Sequence, residues 1–158
     1  MTRVTGLPSN ETYAGPRPLE LAPLRTFCTL NAVLYFVVAL LIVAMRPLLA
    51  LWMDEGRIDV ELPLLAQELL CAISLICLAT LLLSVRGAIG GGSTDLHAAV
   101  RRARSARRGG LAIGAVCLLG LSAVLLAAQG DKLPTVLVSG FVVVAAMWTY
   151  TGGAKLPR

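Results

Sequence analysis

Residues 86–110 read RGAIGGGSTDLHAAVRRARSARRGG, the one long polar stretch between apolar runs. It holds Arg86, Arg101, Arg102, Arg104, Arg107 and Arg108 against a single acid, Asp95. Two hydrophobic runs lie on each side, so the stretch divides the chain into halves. Its glycines, Gly87, Gly90, Gly91 and Gly92, read as a flexible connector, and Ser93, Thr94 and Asp95 are good N-cap residues. A short helix over about 96–108, closed by Gly109 and Gly110, is the expectation. Leu96, Ala99, Val100 and Ala103 share one face of that helix and arginines occupy the other. Such a pattern suits an anionic membrane surface or an acidic partner.

Downstream, residues 111–128 and 133–150 are apolar and are separated only by Gln129, Gly130, Asp131 and Lys132. So short a link predicts a tight antiparallel hairpin. Upstream, residues 62–85 form another apolar run, with Pro63 tolerated near its start. Residues 24–45 form the first, about 33 Å long as a helix against a hydrocarbon core of about 30 Å. Pro47 has no N–H to donate, which predicts a kink or boundary there. The next residues, LLALWM, either continue the helix or lie at the interface, anchored by Trp52. Residues 54–61, DEGRIDVE, carry four acids and one arginine, so the link between the first two spans is acidic. Residues 1–23 read as an extended polar tail rich in proline, and residues 151–158 as a short basic tail. The expected fold class is therefore all-α: a four-transmembrane-helix bundle, spanning 24–150, of two hairpins joined by a basic loop.

Composition supports this class. With 57% apolar and 15% charged residues in 158, the chain has more apolar surface than one small soluble core can bury. The net charge of +5 sits mostly in the central stretch. Charge confined beside apolar spans reads as a topology signal and not as a nucleic-acid surface. Lysine and arginine placement puts both termini and the central loop on the cytoplasmic, matrix or stromal side of a bacterial inner or organellar membrane. Cys28, Cys71, Cys77 and Cys117 all fall in apolar runs without a Cys-x-x-Cys pair, as small buried side chains do. That pair is required in small four-span quinone-linked redox enzymes. The first span also lacks the glutamate of small multidrug transporters.

Glu68 stands out because an ionisable group inside a span is expensive and is functional by default. Flanked by Gln67, it either pairs with Arg46 at the rim of the first span, meets a partner protein, or carries protons. Asn31, with Thr26 and Thr29, is expected to hydrogen-bond between helices. Gly110 with Gly114, and Ala123 with Ala127, have the four-residue spacing that lets helix backbones approach. Arg101, Arg102, Arg104, Arg107 and Arg108 are candidate contacts for anionic lipid headgroups or a partner. The GAIGGGST run lacks the lysine of a phosphate-binding loop. His97 is the only histidine, so a histidine-based metal or haem site is hard to build. No catalytic, cofactor-binding or metal residue is nominated. The functional expectation is a non-catalytic accessory or scaffolding subunit of a larger membrane complex, such as a respiratory or photosynthetic assembly. The alternative is a small oligomeric transporter or channel that uses Glu68.

Overall fold

The computed structural model describes residues 18–52, 61–90, 96–129 and 132–152. These residues form four helices: α1 (Pro18–Trp52), α2 (Leu62–Gly90), α3 (Leu96–Ala127) and α4 (Leu133–Gly152). Each contains a segment long and apolar enough to cross a membrane: Ala22–Met45, Leu62–Ile89, Ala98–Ala127 and Leu133–Gly152. The described residues are thus all-helical, with the helix length and composition of a multi-pass membrane protein. Apolar surroundings favour this form because every backbone N–H and C=O must find its partner inside the helix.

All four helices run further than the hydropathy pattern indicates, α4 by only two residues. α1 continues through Pro47 to Trp52, so Pro47 is not a boundary and LLALWM is helical. A transmembrane helix can lose one backbone bond at proline where neighbouring groups compensate. α2 continues through Arg86 to Gly90, and α3 begins at Leu96. The helix expected over 96–108 is therefore part of the longer α3, and the connector shrinks because 86–90 belong to α2, with only residues 91–95 outside the described elements. The expected stop at Gly109 and Gly110 is also corrected, because both lie inside α3. Glycine costs about 1 kcal/mol in a helix interior, but here tertiary contact decides. A Cβ on Gly109 would come 2.8 Å from Leu81 Cδ1, and one on Gly110 would come 3.2 Å from the Ala146 carbonyl oxygen. These glycines serve close approach and not termination. α1 begins at Pro18 and α4 ends at Gly152, so residues 18–23 of the expected extended tail and 151–152 of the short basic tail are helical. The rest of those tails, 1–17 and 153–158, lies outside the described residues, as do the expected N-caps Ser93, Thr94 and Asp95 and the acidic residues 54–60.

α2 is the centre of the bundle and packs against α1, α3 and α4, while α3 also packs against α4. Cys71, Leu75, Leu78 and Ala79 of α2 are fully buried. The neighbours present mostly small residues at heptad-like spacing: Cys28, Ala32 and Ala39 on α1, with the larger Tyr35 among them, and Ala99, Ala103, Ala106, Gly110, Gly114 and Cys117 on α3. Alternate steps of four and three residues keep one seam facing its neighbour. α4 contributes Thr135, Ser139, Val142, Ala145, Ala146 and Thr149. Large apolar side chains such as Leu30, Leu40, Leu119, Leu126 and Met147 point outward. That is the inside-out arrangement expected of a lipid-facing surface.

The apolar face of the basic segment goes inward too. Ala99 and Ala106 belong to the same core cluster as Val85 and Ile89 of α2. An alanine face offers little area to a lipid interface but allows a helix to sit close to its neighbour. The segment is therefore the first part of α3 and not a separate amphipathic helix.

If the α3–α4 contact depends on backbone approach, Gly114→Leu should destabilise the bundle by about 1–3 kcal/mol through overpacking. The Gly114 Cβ position already lies 3.3 Å from Ala146 Cβ, whereas a Cβ at Gly140 meets nothing within 4 Å. Thermal melting in mild detergent should show a lowered midpoint for Gly114→Leu and little change for Gly140→Leu.

Candidate functional site

Among the described residues, five of the six buried polar or charged side chains lie where α2 meets α3 and α4, Thr149 being the exception near Tyr35. Gln67, Glu68 and Ser74 of α2 and Thr135 and Ser139 of α4 are all buried, although they lie among apolar neighbours in sequence. Helical spacing explains the grouping. Residues 67, 71 and 74 of α2 recur on one face, as do 135 and 139 of α4.

Gln67 is the node. Its Nε2 lies 3.1 Å from the Cys117 carbonyl oxygen of α3, 3.1 Å from Ser139 Oγ of α4 and 3.8 Å from Cys71 Sγ. An amide has two hydrogens, so the two oxygens take them and the sulfur contact is the weakest of the three. Its Oε1 lies over Gly120 of α3, where any Cβ would collide with it. The amide therefore links α2 to both a backbone carbonyl and a hydroxyl on neighbouring helices. Around it, Cys71 Sγ lies 3.5 Å from Ser139 Oγ, and the Cys117 thiol donates to Ser74 Oγ at 3.3 Å.

Glu68 is buried beside this node and accepts a hydrogen bond from Thr135 Oγ1 at 3.2 Å. The Arg46 side chain lies outside the described residues, as does that of His97. Among the described residues, Thr135 of α4 is thus a hydrogen-bond donor to the Glu68 carboxylate. Among the described residues, no buried side-chain nitrogen or oxygen lacks a hydrogen-bond partner.

Asn31, Thr26 and Thr29 do not bridge helices. Asn31 Nδ2 donates to Phe27 O at 2.8 Å, Thr29 Oγ1 to Arg25 O at 2.9 Å, and Thr26 Oγ1 to Ala22 O at 3.2 Å. A side chain on a helix surface can always reach a carbonyl about one turn back, and in an apolar setting that local bond is the nearest available. The bridge from α1 comes instead from Tyr35, whose hydroxyl donates to Ala145 O of α4 at 3.1 Å beside Thr149 Oγ1 at 3.4 Å. Phe27 and Trp148 meet at the same end, their ring centroids 6.2 Å apart. The one available hint was that a buried tyrosine hydroxyl needs a partner.

The small-residue positions divide. Gly110 and Gly114 are buried against Ala146, whereas Ala123 and Ala127 are exposed. Cys28, Cys71 and Cys117 are buried free thiols, while Cys77 faces outward. The arginines divide as well. Arg102 Nη1 donates to Ser84 O at 3.2 Å, and the Arg107 guanidinium stacks 4.6 Å from the centre of the Tyr150 ring. Arg101, Arg104 and Arg108 are exposed.

At the end opposite these arginines, Glu61 accepts from the Gln129 backbone N–H through both carboxylate oxygens, at 2.9 and 3.2 Å. Lys132 Nζ donates to Leu125 O at 2.9 Å, neutralising a free carbonyl in the last turn of α3. These contacts seal the link between α3 and α4. At the basic end, Phe27, Cys28, Leu82, Val85, Ala106 and Thr149 border a cavity of about 10 Å³. That is room for about one water, far below the few hundred Å³ of a small-molecule site. Among the described residues no three His, Cys, Asp or Glu side chains converge.

Chemically, the cluster joins three helices by buried hydrogen bonds. Thr135→Val keeps the shape but removes one donor to the Glu68 carboxylate. It should lower stability by about 1–3 kcal/mol, the cost of weakening a buried hydrogen bond to a charged or polar group. Thr135→Ser, which retains the hydroxyl, should recover most of the loss when the two are compared by thermal melting in one detergent. Compared with known protein families, curated proteins and solved structures, the chain matches none.

Proposed function

We propose that this chain is a non-catalytic accessory or scaffolding subunit of a larger integral-membrane complex, with an energy-converting assembly of the respiratory or photosynthetic kind among those it would suit. The observation that carries this reading is the buried polar network, whose described bonds run between helices of the bundle. Gln67, Glu68, Ser74, Thr135 and Ser139 bond among helices of one bundle or to its backbone. A scaffold gains from such bonds because they hold three helices in one arrangement. Its exposed apolar helix faces would then meet lipid and neighbouring subunits.

In this reading the spans form two hairpins joined by the basic segment. Both termini and that segment lie on the cytoplasmic, matrix or stromal side, following the positive-inside rule. A carboxy-terminal fluorescent-protein fusion should therefore be bright when the protein is expressed in a bacterial inner membrane, and a periplasmic alkaline phosphatase fusion at the same position inactive. The reverse pattern would overturn the orientation.

A second reading rests on Glu68, a carboxylate at the α2–α4 contact inside a span. A small oligomeric transporter or channel could use it as a coupling group, with Thr135 as its hydrogen-bond donor. The two readings separate in one experiment. Tagged protein is isolated in mild detergent, its native mass measured and its copurifying chains identified. Recovery in fixed stoichiometry with a larger complex supports the accessory role, and Glu68→Gln should then alter association at most. Recovery as a lone monomer or homo-oligomer, with ion or solute flux abolished by Glu68→Gln, would establish transport instead.

A further inference from the structure

We propose that Arg101, Arg104 and Arg108 hold the phosphate of an anionic phospholipid whose acyl chains lie along the outward apolar face of α3. The inference goes beyond the accessory reading and is independent of it, since a transporter with this fold would carry the same site.

The outward face of α3 is one strip of two chemistries. Arg101, Arg104 and Arg108 are exposed, and at 100° per residue they fall within an arc of about 60°. Leu111, Leu118, Leu119, Leu125 and Leu126 are exposed as well, all within about 60° of Arg104 on the same helical wheel. Because α3 runs unbroken from Leu96 to Ala127, the guanidinium groups stand in line with that apolar strip. Ala99, Ala103, Ala106 and Gly110 are buried on the face roughly opposite, which holds the strip outward. Arg102 and Arg107 are engaged within the bundle instead, with Ser84 O and the Tyr150 ring. A phospholipid has the matching order of parts, with chains for the leucines and a phosphate for the arginines.

The levels agree. α4 has 20 residues, about 30 Å, which is one hydrocarbon thickness. Tyr150, near its end, stacks with Arg107, and Trp148 beside it is exposed. Aromatic rings at this depth mark the boundary with the headgroups, so Arg108 stands at the edge of the apolar zone. Arg104 lies about 6 Å and Arg101 about 10 Å further along α3. The headgroup layer is about 5–8 Å deep. An extended arginine side chain spans about 6 Å and can bend toward its anion. Arg108 and Arg104 thus reach phosphates from within the layer, and Arg101 from just above it.

Charge shows what this end lacks. Residues 1–25, 86–108 and 153–158 are in, or next in sequence to, the helix ends that meet here. They hold eleven lysines and arginines against three acids, Glu11, Glu20 and Asp95. The side chains of those acids lie outside the described residues, yet even with all three ionised and paired a large positive excess remains. A second copy in the same orientation brings the same excess and adds no net negative charge. Phospholipid phosphates supply it at the level of the arginines, on molecules that already cover the strip below.

Full-length protein in nanodiscs of phosphatidylcholine with a minority of phosphatidylglycerol tests the proposal, the latter carrying a photoreactive group beside its phosphate. Adducts mapped by mass spectrometry should concentrate between residues 101 and 111, and the same group on phosphatidylcholine should give far fewer there. The combined change Arg101→Gln, Arg104→Gln and Arg108→Gln should lower the yield at least tenfold, since each arginine near an anionic surface is worth roughly fivefold. Arg101→Lys, Arg104→Lys and Arg108→Lys together should retain much of it, and thermal melting checks that both variants are folded. On the unaltered chain the yield should fall as NaCl rises from about 0.05 M to about 0.5 M, because salt screens exposed charge. Equal labelling by the two lipids, or labelling unmoved by the glutamine changes, would overturn the proposal. A dimeric native mass that the glutamine changes reduce to a monomer would overturn it too, and assign the arginines to a second copy. So would a photo-crosslinker at the exposed Ser105 that captures an acidic protein in native membranes in place of lipid. The mild-detergent isolation judges the accessory reading separately from all of these outcomes.

Discussion

Helices among lipid tails gain little by hiding apolar side chains from one another, so this bundle depends on how closely its backbones can approach. Small residues make the approach possible. Along α3 the seam runs Ala99, Ala103, Ala106, Gly110, Gly114 and Cys117, and a Cβ at Gly110 or Gly114 would press on Ala146. Once the backbones are near, dispersion contacts accumulate along the whole seam and short polar side chains can reach across. Gly120 shows the two effects joined, since its missing side chain leaves the space that Gln67 Oε1 occupies.

The polar network is therefore a consequence of close packing as much as its cause. Gln67 reaches a backbone carbonyl on α3 because Gly120 lets the helices meet, and it reaches Ser139 because α4 is equally near. Each bond adds little alone, since a membrane-inserted helix also finds partners before it associates. Their value lies in direction. Apolar seams can slide by a turn, but a buried amide with two defined acceptors loses both when it slides. A cluster of this kind favours one arrangement of three helices over others of similar packing area.

The basic end follows the same physics with a different outcome. Because α2 and α3 keep small, apolar contacts beyond the length needed to cross a bilayer, the helices continue as a packed pair. The arginines are then sorted by angle around α3. Those beside the packed face find Ser84 O and the Tyr150 ring, and those opposite it face outward. A charge cluster that looks uniform along the chain becomes two groups with different chemistry.

Four apolar spans and their approximate centres were legible from hydropathy alone, because crossing a hydrocarbon layer demands about 20 apolar residues wherever they pack. The small-residue spacing at Gly110 and Gly114 was legible too, and so was the oddity of a carboxylate at Glu68. Helix ends were not. Glycine and proline carry local costs of about 1–3 kcal/mol, and contacts with other helices, invisible in a linear reading, can outweigh them at Gly109 and Gly110. The partners of polar residues were equally hidden. Asn31 and Gln67 are both amides in apolar runs, yet one bonds to its own helix and the other ties three together. Composition and periodicity determined that the chain makes long apolar helices. Only the tertiary structure decided which polar groups face each other, since that depends on the rotation and register of each helix against its neighbours.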